Sequence, residues 1–419
     1  MSVKTAGVVA LSSVLAGLAG SALTAQYIRN NYKPEWDFLS YRHPYRVDGF
    51  EEPKGELSFT YYYDGWQGAF NRVAMAHVEE LKRRGYTVRL REIHEWLVRF
   101  EHLDAQPLND FAVVHPLFFT APASLQYLAK KHRYIVAFEV ADSTHISLDW
   151  VRWANDERLD CLFVPSKFAF EAYMRSGTQN RIEVLPHGVS QNFSKPKEAF
   201  ETSNPVLKAI RQDPRPKILF FCLHSGRSRK GSLEVYEALK ALKAKGRQFL
   251  LVVKTHPRES LAWYDAKEEF PNIPLVQVDQ WLSEEDLIYL YDSCDVYVHP
   301  YRGGAFELNV FEALARGLPV IVTGWGCVLE YCDFHTAYLI APKEYVRLFP
   351  VGIGIRGGHV GWGVKPDIDH FIELLEFVLD NVEYCRKRAE KNRPIYTKQT
   401  WSNVIDQFLG KVEEIWETH

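Results

Sequence analysis

The stretch from Asp295 to Thr323, DVYVHPYRGGAFELNVFEALARGLPVIVT, constrains the fold of this chain more than any other. It opens with a β-branched and aromatic run, 295–299, that predicts a buried strand. A loop containing Gly303 and Gly304 follows, then a helical pattern, and then the apolar run 318–322, which predicts a second strand. A strand that leads through a glycine loop into a helix N-terminus presents backbone N–H groups to a phosphate. We therefore expect a Rossmann-like unit with a phosphate site here.

The helix of this stretch carries one carboxylate in its second turn. Apolar residues recur at helical spacing from Phe306, and Gly317 is expected to end the helix. Glu312 would lie about 9 Å along the axis from the helix start, at ~1.5 Å per residue. That offset suits a hydrogen bond to a ribose hydroxyl when a diphosphate lies at the helix tip. The alternative is a solvated carboxylate in mid-helix.

The second half of the stretch, from Glu312 through Ala-Leu-Ala-Arg-Gly-Leu-Pro-Val, resembles the donor-site signature of retaining GT-B glycosyltransferases of the large family 4 group. That signature has two glutamates separated by seven residues. Here Gly304 stands at the first glutamate, and Glu307 replaces the usual glycine three residues later. The resemblance implies that Gly304, Phe306, Leu308 and Glu312 bind the donor. We expect Glu307 to turn away from the phosphate and contact the sugar in place of the missing glutamate.

A second basic glycine loop opens the Lys217 to Leu242 segment, which reads as strand, loop and helix. Members of the family carry an arginine and a Lys-Gly pair at this place to neutralise the donor diphosphate. Lys230 and Gly231 match the pair, whereas the family spacing of the arginine falls on His224, and Arg227 lies nearer. The resemblance implies that Lys230 and Arg227 offset the charge developing on the leaving diphosphate. The alternative is a solvated basic turn.

The N-terminal half contains a strand–loop–helix unit that starts at Leu57 to Tyr63 and resembles the opening of the same enzymes. By this resemblance its loop glycines, Gly65 and Gly68, would approach the donor and the acceptor, with an ordinary turn as the alternative. A later strand, Tyr134 to Ser143, runs into polar residues at its carboxyl end, where open α/β sheets place ligands. It resembles an acceptor-side element of one branch of the family. Glu139 is therefore a candidate on the acceptor side, with a structural hydrogen bond as the alternative.

Two further segments follow the family order. Leu159 to Gly177 and Ile182 to Val189 resemble the elements that lead into the hinge between the two domains. By contrast, 352–357 fits the GxGxxG pattern as a bare string but has no helix after it, so we expect no nucleotide site there.

The segment from Thr5 to Tyr27 carries no charged side chain over 23 positions. As a helix it would span ~35 Å, which is enough for a ~30 Å hydrocarbon layer. The sequence favours a membrane anchor. The alternatives are a soluble or peripheral helix and a cleaved secretory signal. Lys4 alone precedes the segment, while Arg29 and Lys33 follow it, so the positive-inside rule places the body of the protein in the cytoplasm. Cytoplasmic membrane association is thus the expected location.

Composition excludes other classes of function. Hydrophobic residues make up 47% of the chain and charged residues 25%, which is typical of a globular protein. A net charge of −3 gives no reason to expect nucleic acid as a partner. The six cysteines show no metal-ligand spacing and lie mostly in apolar runs, so we expect buried free thiols in a reducing compartment and no structural metal.

The sequence therefore predicts an α/β protein of GT-B type, with two Rossmann-like domains that face a cleft and an N-terminal hydrophobic helix. The expected divisions are the helix and tether (1–56), an acceptor domain (57–198), a nucleotide-sugar donor domain (199–397) and a helix that crosses back (398–419). By resemblance, the protein is a retaining hexosyltransferase that needs no metal or other cofactor. Its acceptor would be a glycan, a lipid-linked molecule or a small molecule. A catalytically silent GT-B subunit and a nucleotide-sugar epimerase are the alternatives.

Overall fold

A computed structural model describes most of the chain after residue 56. All of the described residues fall in one compact unit, Val47–His419. The predicted N-terminal helix and tether lie outside them. The described ranges are 57–65, 68–93, 110–117, 122–222, 227–257, 263–349 and 357–418.

The first half of the described chain forms a sheet of six parallel strands in the order β2-β1-β3-β4-β5-β6. The strands are β1 (Ser58–Asp64), β2 (Thr87–Ile93), β3 (Phe111–His115), β4 (Tyr134–Phe138), β5 (Cys161–Val164) and β6 (Ile182–Val184). The helices of this half are α1 (Ala69–Arg83), α2 (Pro122–Leu128), α3 (Leu148–Ala154) and α4 (Lys167–Ser176).

The second half forms another sheet of six parallel strands, in the order β12-β11-β10-β7-β8-β9. The strands are β7 (Lys217–Phe221), β8 (Leu250–Lys254), β9 (Leu275–Val278), β10 (Val296–His299), β11 (Val320–Thr323) and β12 (Tyr338–Ile340). The helices are α5 (Pro205–Gln212), α6 (Arg227–Lys230), α7 (Ser232–Ala244), α8 (Ala266–Glu269), α9 (Glu284–Ser293), α10 (Leu308–Ala315), α11 (Ile368–Asp380), α12 (Val382–Thr397) and α13 (Trp401–Thr418). An antiparallel pair, β13 (Pro342–Arg347) and β14 (Trp362–Pro366), stands apart from both sheets.

Both sheets are covered on two faces, which explains why their central strands are continuous apolar runs. Every residue of β3, β4 and β5 is buried. The C-terminal helix α13 packs on the first sheet, where Phe408 lies with its ring centroid 5.3 Å from that of Phe163 and 6.1 Å from that of Phe59. We call the part built on the first sheet, with α13, the first domain, and the part built on the second sheet the second domain.

The strand order of the second sheet predicts where a ligand would bind. The chain order reverses between the neighbouring strands β7 and β10. In open parallel sheets, ligands bind outside the carboxyl ends of the strands at such a reversal. The loops after β7 and β10 are the two glycine loops singled out in the sequence, and they meet at this point.

Two other predictions can be compared with the fold. The six cysteines are all buried and free within the described residues, as their apolar surroundings indicated. Among the helices that the structure describes, none is both long enough and apolar enough to cross a membrane. The segment predicted to do so, 5–27, lies outside the described residues.

Candidate functional site

The two loops of the second domain touch at a glycine. Gly231 has a φ of 80°, in the left-handed region, and ends the short helix α6 before α7 begins. A Cβ there would lie 2.0 Å from the carbonyl oxygen of Pro300, so only glycine fits. Beside it the backbone N–H of Arg302 donates a hydrogen bond of 2.7 Å to the carbonyl of Arg229. These contacts hold the end of α6 against the loop that follows β10.

Glu307 precedes α10 in an uncommon backbone conformation. Its φ and ψ are 62° and 65°, which is the left-handed region for a residue other than glycine. The Tyr331 hydroxyl pins this turn, because it donates to the carbonyl of Phe306 and lies 3.3 Å from that of Glu307. The helix therefore begins at Leu308, two residues later than the apolar spacing predicts. Non-glycine residues in this region cost about 1–3 kcal/mol and cluster at functional sites.

The Glu307 carboxylate is the centre of a buried charge cluster. Its Oε2 pairs with Nζ of Lys230 and accepts a hydrogen bond of 2.6 Å from Nε2 of His299. Its Oε1 lies 3.5 Å from Nη1 of Arg229, which also donates to the carbonyl of Gly303 at 3.0 Å. The carboxylate of Glu307 thus pairs with Lys230, the cation predicted to face the diphosphate. That Glu307 turns away from the phosphate and contacts the sugar stays a prediction.

The electrostatics of the cluster fix the protonation of its members. Burial raises the pKa of Glu307, but Lys230, His299 and Arg229 together hold it well below its usual range. Burial lowers the pKa of His299 in spite of Glu307, so the imidazole is neutral. Since Glu307 is an anion, His299 carries its proton on Nε2, and its Nδ1 accepts from the Tyr297 hydroxyl at 3.2 Å. Burial and the neighbouring Arg229 lower the pKa of Lys230, while Glu307 opposes this.

A carboxylate from the first domain joins the cluster. Asp142 follows β4, and its Oδ2 lies 3.4 Å from Nη1 of Arg229. The backbone N–H of Asp142 donates to Nδ1 of His359 at 3.1 Å, and Nε2 of that histidine lies 3.8 Å from Oδ2. Arg229 thus lies between the carboxylates of Glu307 and Asp142, and Lys230 pairs with the first of them.

Glu312 is buried at the boundary between the two domains. Its side chain is 2% exposed and forms an ion pair with Arg72 of α1. Its Oε2 accepts a hydrogen bond of 2.9 Å from the Tyr291 hydroxyl. Burial raises the pKa of Glu312, although Arg72 opposes this. The alternative of a solvated carboxylate in mid-helix is therefore wrong.

The remaining candidates have different surroundings. Glu139 is buried at the end of β4, and its Oε1 accepts a hydrogen bond of 2.8 Å from the backbone N–H of Val140. Phe306 packs its ring 4.8 Å, between centroids, from that of His187. Leu308 packs against the cores of both domains. A Cβ on Gly65 would overlap the side chain of Glu92 at the end of β2.

The structure describes only the backbone of Arg227, and it does not describe His224. Arg227 begins α6, but its side chain lies outside the described residues, and so does His224. Within the described ranges, no group of three or more histidine, cysteine or acidic side chains could hold a metal ion. The expectation that no cofactor is needed stays a prediction.

Sequence reasoning assigned no role to four residues of the site. His299 is the last residue of a predicted strand, and Asp142 is one of the polar residues at the carboxyl end of another, so both satisfy the strand-end rule. Arg229 precedes the predicted Lys230. Nothing local pointed to Arg72, because its partner lies 240 positions further along the chain.

Residues 215–349 match the family model described as Glycosyl transferases group 1. A curated viral protein, "Putative glycosyltransferase 45" of Sulfolobus islandicus filamentous virus (isolate Iceland/Hveragerdi), is 28% identical over 281 residues, which cover 65% of this chain and 72% of that protein. The matched family and this relative support a glycosyltransferase.

Solved structures share the two-sheet architecture. Sucrose-phosphate synthase from Thermosynechococcus elongatus matches with a TM-score of 0.66 and 14% identity, over 87% of this chain and 100% of that one. Anabaena HepE in complex with UDP and glucose matches with a TM-score of 0.60 and 14% identity, over 85% of this chain and 100% of that one. The described fold is GT-B-like. The structural similarity confirms the predicted fold class for the two domains. Because the sequence identities are only 14%, it shows the fold and not the activity.

Proposed function

We propose that this chain transfers a hexose from a nucleoside diphosphate donor to an acceptor with retention of anomeric configuration. The observation that carries the proposal is the position of Arg229 and Lys230 around Glu307 at the strand reversal of the second sheet. All three residues lie inside the span that matches the glycosyltransferase family model.

The chemistry asks for positive charge at the leaving group. As the glycosidic bond breaks, negative charge grows on the departing diphosphate. Arg229 and Lys230 would stabilise this charge, and side-chain cations act more strongly in a partly buried site than in water. Their exposed side-chain fractions are 18% and 15%. The proposal includes no metal or other cofactor, because these cations supply the positive field.

The donor would be held from two sides. Glu312 would accept hydrogen bonds from the ribose hydroxyls, and Glu307 would contact the hexose. Gly304, Phe306 and Leu308 would form the wall beside them. HepE was solved with UDP and glucose, which makes a uridine nucleotide the first one to test.

The acceptor side is proposed from the first domain. Glu139 lies at the end of β4, and Gly65 follows β1, so both are at the carboxyl edge of the first sheet. The acceptor would be a glycan, a small molecule or a lipid-linked molecule. The last of these rests on the uncharged segment 5–27, which would anchor a cytoplasmic body to a membrane.

Two observations favour a second candidate, a catalytically silent GT-B subunit. Gly304 has no side chain to contact a sugar, and the Glu307 carboxylate already neutralises Lys230. Such a protein would bind a nucleotide or a glycan without transferring a sugar.

Incubation of the purified protein with radiolabelled UDP-, GDP- and ADP-hexoses, with and without a lipid extract, tests the proposal. Label in an acceptor with unchanged anomeric configuration by NMR supports it. Binding without transfer would favour the silent subunit, and a changed sugar without acceptor would indicate an epimerase. In parallel, Glu312→Gln should weaken nucleotide binding by about 1.5–3 kcal/mol, the range for a hydrogen bond to a charged group. Glu376→Gln is the control, because Glu376 is a partly exposed carboxylate of α11 that pairs with Lys245.

A further inference from the structure

Two ion pairs of the first domain engage donor-site residues of the second. Arg72, in the first turn of α1, pairs with Glu312, whose side chain is 2% exposed. Asp142, after β4, lies 3.4 Å from Arg229, whose side chain is 18% exposed. Both contacts cross from one domain to the other. Neither first-domain residue belongs to the family signature described above.

Each of the two first-domain residues resembles, in chemical character, the part of the donor that would bind the same second-domain residue. A ribose would donate hydroxyl hydrogen bonds to Glu312, and the Arg72 guanidinium offers N–H donors to the same carboxylate. A phosphate would offer anionic oxygens to Arg229, and Asp142 offers a carboxylate. The first domain therefore presents to each donor-site group the kind of partner that the donor would present.

A third contact joins residues 143–147 of the first domain to residues 358–362 and involves none of the donor-site residues. In addition to backbone bonds, the Ser143 hydroxyl accepts from Gly361 N at 3.1 Å and the Thr144 hydroxyl from Trp362 N at 3.0 Å. Thr144 N donates to the carbonyl of Trp362 at 3.1 Å, Ser147 N to that of Gly358 at 2.8 Å, and Gly361 N to that of His145 at 3.2 Å. A Cβ on Gly361 would lie 2.3 Å from the His145 nitrogen, which gives part of this glycine-rich region a packing role. This ladder can persist while the two ion pairs change.

We propose that Arg72 and Asp142 form a latch that holds the two domains together across the donor site and that a nucleoside diphosphate donor must displace. The proposal rests on the proposed function, because it takes Glu312 and Arg229 as donor-binding residues. Binding then competes with domain closure for the same atoms. The apparent affinity equals the intrinsic affinity multiplied by the fraction of molecules that are unlatched.

The latch predicts an effect that a purely structural ion pair does not. Removing Arg72 leaves Glu312 buried without its cation, which disfavours the latched arrangement and leaves Glu312 available to a nucleotide. A structural pair would lower the stability of the protein on removal but would not tighten nucleotide binding. Nucleotide affinity and domain separation therefore distinguish the two roles.

The test uses the full chain with Arg72→Gln, Asp142→Asn and the double variant. Arg84→Gln is the matched control, because Arg84 is the C-cap residue of the same helix and pairs with Asp406 of α13 at 2.7 Å, away from the donor site. Affinity for UDP, GDP and ADP is measured by calorimetry, and domain separation by small-angle scattering without nucleotide. Circular dichroism checks folding, and Arg72→Lys tests rescue by charge.

We expect Arg72→Gln to bind the preferred nucleotide about threefold to tenfold more tightly, with a larger radius of gyration, and Asp142→Asn to act in the same direction. Arg72→Lys and Arg84→Gln should behave as the wild type. Folded variants with unchanged scattering, or with unchanged or weaker affinity for a nucleotide that the wild type binds, would overturn the latch. If no nucleotide binds any of the proteins, the proposed function fails, and the latch then fails with it as a device for donor binding.

Discussion

The carboxylate of Glu307 occupies the space that a side chain on Gly304 would need. An ideal Cβ at position 304 would lie 1.8 Å from Oε1 of Glu307. The related signature has a glutamate at the first of these positions and a glycine at the second, and this chain has the two residues exchanged. The left-handed backbone of Glu307 carries its carboxylate back into the room that the glycine leaves. This geometry supports the proposal that Glu307 takes the place of the missing glutamate.

Gly304→Ala should reduce sugar transfer while leaving the protein folded. The new methyl group would overlap the flexible end of the Glu307 side chain. Because a side chain moves more easily than the backbone, we expect the carboxylate to move away from Lys230 and His299. Turnover should fall by about 10²-fold, the lower end of the range for losing one stabilising group. Initial rates and thermal unfolding would be measured together. Gly410→Ala is the control, because nothing lies within 4 Å of a Cβ there. A Gly304→Ala enzyme with wild-type turnover would argue against the exchange.

Glu307→Gln separates sugar recognition from competition with phosphate. Losing the anion leaves Lys230 and Arg229 with more net positive charge, so a bare nucleoside diphosphate should bind as tightly as before or more tightly. Transfer should nevertheless fall, because the amide is a poorer acceptor for a sugar hydroxyl. Calorimetry with UDP and steady-state kinetics give the two quantities. Tighter binding with unimpaired transfer would mean that Glu307 only competes with the phosphate.

Arg229→Ala and Lys230→Ala should each lower turnover more than nucleotide affinity. The charge on the diphosphate grows as the bond breaks, so these cations interact more strongly with the transition state than with the bound donor. The expected loss in turnover is about 10²–10³-fold for each. Arg227→Ala serves as the comparison, because the sequence suggested Arg227 and the structure brings Arg229 to the cluster. Arg227 stays a predicted catalytic residue, and a loss for Arg227→Ala equal to that for Arg229→Ala would support it. Wild-type rates for Lys230→Ala would remove this loop from the mechanism.

Much of the fold could be predicted because it depends on local patterns. The central parallel strands, such as β3 and β11, are buried on both faces and must be continuous apolar runs. Turn glycines then mark where the strands end. The start of α10 was misplaced because the apolar spacing continues through Glu307, while the backbone there leaves the helical region. That departure depends on Tyr331, a residue distant in sequence.

The site residues could be predicted only where they lie in loops that directly follow strands in the sequence. Lys230 and Glu307 were found from loops that end strands, and the structure brings them together. Arg72 and Asp142 were not assigned, because their roles depend on how the two domains meet. A charge on a helix or a loop acquires such a partner only through tertiary packing.

Deletion of residues 1–30 should give a soluble protein that still binds nucleotide, because β1 begins only at Ser58. The full-length chain should sediment with membranes and remain there after a high-salt wash, since a hydrophobic anchor is insensitive to ionic strength. Fractionation of both forms followed by UDP titration tests this. Full-length protein that stays in the soluble fraction without detergent would rule out the anchor.

Stability should fall in acid because histidines of the first domain are buried in neutral form. The Tyr61 hydroxyl lies 2.9 Å from Nδ1 of His77 and 3.1 Å from Nδ1 of His115. Burial lowers the pKa of His77 to about 3, and burial likewise lowers that of His187 to about 3. In the unfolded chain a histidine titrates near pH ~6.5. The unfolded state therefore binds more protons below that pH, so the full stability is present above pH ~6.5 and is lost as the pH falls toward ~3.

Each such histidine should contribute a slope of about 1.4 kcal/mol per pH unit below pH ~6. Urea unfolding from pH 8 to pH 5 measures the slope of the unfolding free energy. His77→Gln removes one titrating group, so its slope should be shallower than that of the wild type by about this amount, whatever its absolute stability. His335→Gln is the control substitution, at an exposed histidine. Parallel slopes for His77→Gln and the wild type would show that His77 is not a source of the acid sensitivity.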